Sequence, residues 1–191
     1  MFPIRLDRFD QLIQNSYNWT GPSDASLFAE IGFTPQAIVI QGRAVDDQPF
    51  VQPYTSPYMP EWWTMQYAAD GIEVRIDDPT SSTNSIHLIL NFGSGGTRPR
   101  VQVISAPLMP KAGDLPESDF RIKDTAAGDV NTSAGSTIHQ LGFSFQAAIP
   151  SAGLAEPRFF SDALRISVRL HDLDGDFQTY CVLEDVIEKK D

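Results

Sequence analysis

Residues 164–171 read LRISVRLH, with Leu164, Ile166, Val168 and Leu170 on one parity and Arg165, Ser167, Arg169 and His171 on the other. A strand sends successive side chains to opposite faces of its sheet. This period of two therefore predicts a strand with one face on a core and one on solvent. The split recurs in 71–77 (GIEVRID), where Ile72, Val74 and Ile76 oppose Glu73, Arg75 and Asp77. It recurs again in 86–92, where Ile86, Leu88 and Leu90 oppose His87, Ile89 and Asn91. Working outward, 25–33 (ASLFAEIGF) meets 36–46 (QAIVIQGRAVD) across a turn-like break at Thr34-Pro35. Further strand-like runs are 100–105, 119–123, 138–149 and 178–184. Seven to nine short strands with turn signals between them predict an all-β fold, an antiparallel β-sandwich or jelly roll. Helical stretches long enough for βαβ crossovers are missing, which argues against a parallel α/β sheet.

At the N-terminus, 7–16 (DRFDQLIQNS) carries Phe9, Leu12 and Ile13 at roughly helical spacing, with Asp7 as an N-cap. A short N-terminal helix is expected there. Two long loops interrupt the strands: 47–69, dense in proline and aromatics, and 106–118, with three prolines. Loops of this length in compact domains usually have a job. No repeat or low-complexity segment divides the 191 residues, so one domain over 1–191 is the expectation.

The charge balance narrows the function. With Lys+Arg 14 and Asp+Glu 25, the formal net charge is −11. A surface this acidic repels phosphate backbones and anionic lipid, which argues against nucleic-acid and membrane-surface partners. No stretch reaches the roughly 20 apolar residues that span a bilayer. The start of the chain has no apolar run of signal-peptide length, so the expectation is a cytoplasmic protein, or a mature or trimmed form. The lone Cys181 lies in an apolar strand and reads as a buried, inert thiol.

Catalytic motifs are sparse. The histidines are His87, His139 and His171, and no nucleophile elbow, HExxH, P-loop or dinucleotide fingerprint is present. The GSGG of 93–96 follows a strand without a following helix pattern and reads as a loop. The stretch 171–176 (HDLDGD) sets Asp172, Asp174 and Asp176 at alternate positions, as in half a calcium loop. Its glycine falls too early for an EF-hand and no glutamate closes it, so an Asp/Gly hairpin between two strands is the competing reading. In 47–69, Tyr54, Tyr58, Trp62, Trp63 and Tyr67 crowd one polar loop. Flat aromatic faces suit pyranose rings, whose axial C–H groups are weakly positive toward a π face. The same aromatics would equally plug the end of a sandwich. The polar sheet faces would present Glu73, Arg75, His87, Asn91, Arg165, Arg169 and His171, a set suited to hydrogen-bonding hydroxyls.

Three segments in order, 24–46, 70–77 (DGIEVRID) and 143–176, resemble the family 9 carbohydrate-binding modules and the wider DOMON-like β-sandwich group. The resemblance rests on a strand pair ending in an acidic residue, a D-G-I-E strand, Phe145 to Pro150, and Leu164 to Gly175, with His171 where the family usually has Asn. It implies non-catalytic binding of a mono- or oligosaccharide, with no enzymatic activity. Residue by residue, it implies that Tyr67 forms one side of a sugar clamp, that Glu73 binds hydroxyls, and that Asn91 assists from the next strand. Phe177 is the nearest match to the second clamp aromatic, while Ile89 stands where sugar-binding members tend to have Arg. The resulting expected site is Trp62, Trp63, Tyr67, Glu73, Asn91, Arg169, His171 and Phe177, with calcium at Asp172, Asp174 and Asp176. The wider group also implies an alternative, a haem-binding electron-transfer domain with Met59, Met65, His87 and His171 as axial-ligand candidates. A third reading is a protein-interaction sandwich without a small ligand.

Overall fold

The computed structural model describes residues 1–14, 18–34, 36–46, 71–81, 84–92, 100–109, 112–115, 119–131, 137–160, 163–172 and 181–189, excluding the side chains of 114, 122–131 and 137–143. In chain order the strands are β1 (Phe2–Leu6), β2 (Leu12–Gln14), β3 (Ala25–Phe33), β4 (Ala37–Asp46), β5 (Gly71–Asp77) and β6 (Ser85–Asn91). They continue as β7 (Arg100–Ser105), β8 (Gly113–Asp114), β9 (Asp119–Asn131), β10 (Thr137–Pro150), β11 (Leu164–Asp172) and β12 (Cys181–Lys189). They form a five-stranded sheet in the order β1-β3-β4-β10-β9 and a seven-stranded sheet in the order β2-β12-β11-β5-β6-β7-β8. The pairings are antiparallel in both.

The alternation explains the layering. Leu27, Ile31, Ile38 and Ile40 of one sheet, and Ile72, Val74, Ile76, Ile86, Leu88, Leu90, Ile166 and Val168 of the other, are buried in one apolar cluster. Each such side chain contributes about 1.5–3 kcal/mol by leaving water. Phe92, just past β6, joins the layers through ring contacts with Phe120 of β9 and Phe145 of β10, at 6.0 and 5.6 Å between centroids. The β5–β6 connection is locked by the Asp78 carboxylate, which accepts from the Thr80 N–H at 2.8 Å and from Asn84 Nδ2 at 3.1 Å. That turn sets the register of the two strands that carry Glu73 and His87.

The N-terminal helix is corrected. Phe9–Gln11 is a single 3-10 turn, and the chain continues into β2, where Leu12 pairs with Leu183. The turn is held by Gln11, whose Oε1 accepts from the Asp7 and Arg8 N–H groups while its Nε2 donates to the Arg5 carbonyl. Asp7 does not cap it but pairs with Arg5 at 2.6 Å. Once Gln11 satisfies those backbone groups, Leu12 gains more from the sheet than from another turn. β1 was not expected from the sequence; its Pro3 is tolerated because β1 is an edge strand. The proline-containing stretch 106–118 contributes β8 and an isolated bridge between Ala106 and Met109.

Candidate functional site

The face of the seven-stranded sheet turned away from the core is assembled from rows of directly opposed residues. One row runs Glu184, Arg169, Glu73, Ile89 and Gln102 across β12, β11, β5, β6 and β7. The next runs Val182, His171, Gly71, Asn91 and Arg100. A third runs Ser167, Arg75 and His87. Gly71 has no side chain, and a Cβ added there would meet the Leu90 carbonyl oxygen at 2.9 Å.

Glu73 is the centre of this face. It is buried, 4% exposed, although it sits on the polar side of its strand. His171 reaches it diagonally, Nε2 to Oε2 at 2.9 Å, and His87 reaches it from the other diagonal, Nε2 to Oε1 at 2.7 Å. Arg169, directly opposite, brings Nη1 to 3.5 Å from Oε1. Burial pushes the Glu73 carboxyl up, but the His171 and His87 hydrogen bonds and their electrostatic attraction outweigh it. The group is held well below the usual carboxylate range. An ionised carboxylate only accepts, so both histidines donate from Nε2.

The network extends to a residue that the sequence reading missed. Glu184 Oε1 accepts from Arg169 Nε and from Ser167 Oγ, each at 2.8 Å. Burial works against the Arg169 charge, and the hydrogen bond to Glu184 with the pull of both carboxylates outweighs it, raising its pKa. Glu184 lay at the expected end of the 178–184 run. Only the β11–β12 register, which opposes it to Arg169, gives it a role.

Of the expected sugar-site residues, Glu73, Asn91, Arg169 and His171 therefore lie on one face, and Ile89 sits beside Glu73, buried at 4%. Trp62, Trp63, Tyr67 and Phe177 lie outside the described residues, as do Met59, Met65, Asp174 and Asp176. Asp172 is the last residue of β11, 2% exposed on the core-facing parity, and the buried Cys181 thiol lies 3.4 Å from its Oδ2. Asp172 thus stands in the core layer, while the other two residues of the expected calcium loop lie outside the described residues. Among the described residues no group of three His, Cys, Asp or Glu side chains is disposed to hold a metal ion. In His87 and His171, Nε2 is already engaged by Glu73.

No family model and no curated protein matches the chain. Among solved structures, it is similar to a family 9 carbohydrate-binding module from Caldicellulosiruptor kristjanssonii in complex with cellotriose. There the TM-score is 0.40 and the identity 10%, over 84% of this chain and 64% of that one. The chain thus spans a little under two thirds of that module's length. It also aligns with the amphioxus green fluorescent protein GFPA1 at a TM-score of 0.16 and 10% identity, over 86% of this chain and 89% of that one.

Proposed function

We propose that this chain binds a mono- or oligosaccharide, without catalysis, at the Glu73 face of its seven-stranded sheet, the face turned away from the core. The observation that carries the reading is Glu73, a buried carboxylate kept ionised by two histidines and an arginine on a sheet face. Each carboxylate oxygen accepts at two lone-pair positions, so a hydroxyl can donate to Glu73 beside the existing contacts. Arg169 and Asn91 donate to hydroxyl oxygens in this reading. Tyr67 with Trp62 or Trp63, and Phe177, supply the stacking surface in this reading.

The test is tryptophan fluorescence of the purified protein, titrated with glucose, xylose, galactose and their β-1,4 oligomers. A saturable change that is lost in both Glu73→Gln and Tyr67→Ala supports the site. A flat response across the series, or one that survives both substitutions, rejects it. Absorbance near the haem Soret band on purification would favour the electron-transfer alternative instead.

A further inference from the structure

A groove lies on the opposite side of the sandwich from the Glu73 face. It has a volume of about 660 Å³ and lies over the solvent face of the five-stranded sheet, lined by Phe28, Glu30, Gln41, Gln146 and Arg121 among others. Its volume falls in the range of small-ligand sites, roughly 300–1,000 Å³. The register explains the lining. Pro3, Glu30, Gln41, Gln146 and Arg121 are direct partners in one row across β1, β3, β4, β10 and β9. Five strands at about 4.8 Å spacing make that row about 19 Å long, the shape of an extended chain rather than a compact ligand.

The chemistry of the row is that of hydroxyl recognition. Gln41 and Gln146 are exposed, adjacent amides on central strands, each offering two donors and an acceptor. In the next row Phe28 stands opposite both Arg5 and Arg43 and keeps 41% of its surface exposed, an apolar platform in a polar strip. The Arg5 guanidinium sits 5.5 Å from its ring centroid and steadies its orientation. The charges balance locally. Arg5 is paired with Asp7 and Arg121 with Asp119, which leaves Glu30 and Arg43 with one charge of each sign. On a chain of net charge −11, the described side chains of this strip balance and Lys123, set opposite Ser144 by the register, adds a single positive charge, so the strip is close to neutral and suits an uncharged ligand.

We infer that this groove binds a linear, uncharged oligosaccharide chain laid across the strands, stacked on Phe28 and hydrogen-bonded by Gln41 and Gln146. It shares its ligand class with the Glu73 face but uses none of its residues, so either site can stand without the other.

The experiment is isothermal titration of wild type and the Glu73→Gln variant with cellohexaose, xylohexaose, mannohexaose and, at low salt, polygalacturonate. At least one neutral hexasaccharide should bind both proteins with little salt dependence, and polygalacturonate should bind neither. In the Glu73→Gln background, Phe28→Ala and the Gln41→Ala/Gln146→Ala pair should each weaken that binding about fivefold to tenfold. These residues are exposed, so the variants should keep the wild-type circular dichroism. Hexasaccharide binding that disappears in Glu73→Gln would assign the ligand to the other face and overturn the groove. The groove is equally overturned if Glu73→Gln binds normally but ignores the Phe28 and glutamine substitutions, or if polygalacturonate binds as tightly as the neutral chains. Absence of binding by wild type to every hexasaccharide would overturn it too.

Discussion

His171 Nε2 lies 2.9 Å from Glu73 Oε2, a buried contact between residues 98 positions apart in the chain. It joins two neighbouring central strands on their solvent side, and its strength depends on the charge of Glu73. Because the folded-state pKa of Glu73 is depressed, folding favours its ionised form. That stabilisation is fully present above the unfolded carboxylate pKa, about 4.3, and is lost as pH falls below it. The melting temperature should therefore start to drop below about pH 5 and keep dropping as pH approaches the depressed folded-state pKa. In Glu73→Gln the drop should be visibly smaller, as scanning calorimetry across that range would reveal. Equal slopes for the two proteins would mean that other carboxylates govern the acid limb.

The two histidines should not be equivalent. The His171 side chain is 5% exposed and that of His87 19%, while both contact the same carboxylate. Removing His171 strips a partner from Glu73 where water cannot replace it, so His171→Ala should cost about 2–4 kcal/mol. At His87 water can partly take over, and His87→Ala should cost about 1–2 kcal/mol. Urea denaturation of the pair gives the comparison directly. A larger loss at His87 would reverse the assignment of which contact is dry.

These relationships were legible in the sequence to different depths. The alternation in 71–77, 86–92 and 164–171 placed Glu73, His87, Arg169 and His171 on polar faces, because strand periodicity is a local property. Their convergence was not local. It depends on the register that sets Arg169 opposite Glu73 and His171 opposite Gly71, and on the pairing of β11 with β5 rather than another strand. Glu184 illustrates the same limit, since its role arises only through its opposed neighbour on β11. The N-terminal turn failed for a different reason. Phe9, Leu12 and Ile13 satisfy helical spacing, but Gln11 closes the turn after three residues and Leu12 finds a strand partner. Phe9 and Ile13 are left exposed at 67% and 51%, the opposite of a buried helical stripe. The alternation in Phe2–Leu6 was present, with Ile4 and Leu6 facing in, but Pro3 obscured it.

The two faces of β11 should respond very differently to truncation. Ile166 is fully buried and stands opposite Ile76 and Ile187, whereas Arg165, one residue earlier, points to solvent. Ile166→Ala leaves a cavity between packed sheets and should cost about 2–5 kcal/mol. Arg165→Ala should stay within about 0.5 kcal/mol of wild type. Chemical denaturation midpoints measured at constant slope would separate the two effects. Similar losses at both positions would contradict the layering of the sandwich.

Gly42 tests the five-stranded sheet at the floor of its groove. A methyl group added there would meet the Phe28 carbonyl and would come within 2.6 Å of the Ala29 Cα and Cβ atoms. Phe28 and Ala29 belong to β3, the strand directly paired with β4 at this point, so the obstacle is backbone held by a ladder on both sides. A flexible side chain could swing away, but a central strand cannot do so without breaking its own hydrogen bonds. Gly42→Ala should therefore destabilise the fold by about 1–3 kcal/mol, against the usual gain from removing a glycine within a strand. At Gly153, where an added methyl meets nothing within 4 Å, the same substitution should be close to neutral. Thermal unfolding of the two variants side by side isolates the steric effect from the change in chain entropy, which the two substitutions share. A stabilised Gly42→Ala would mean that β3 and β4 sit farther apart than the structure places them.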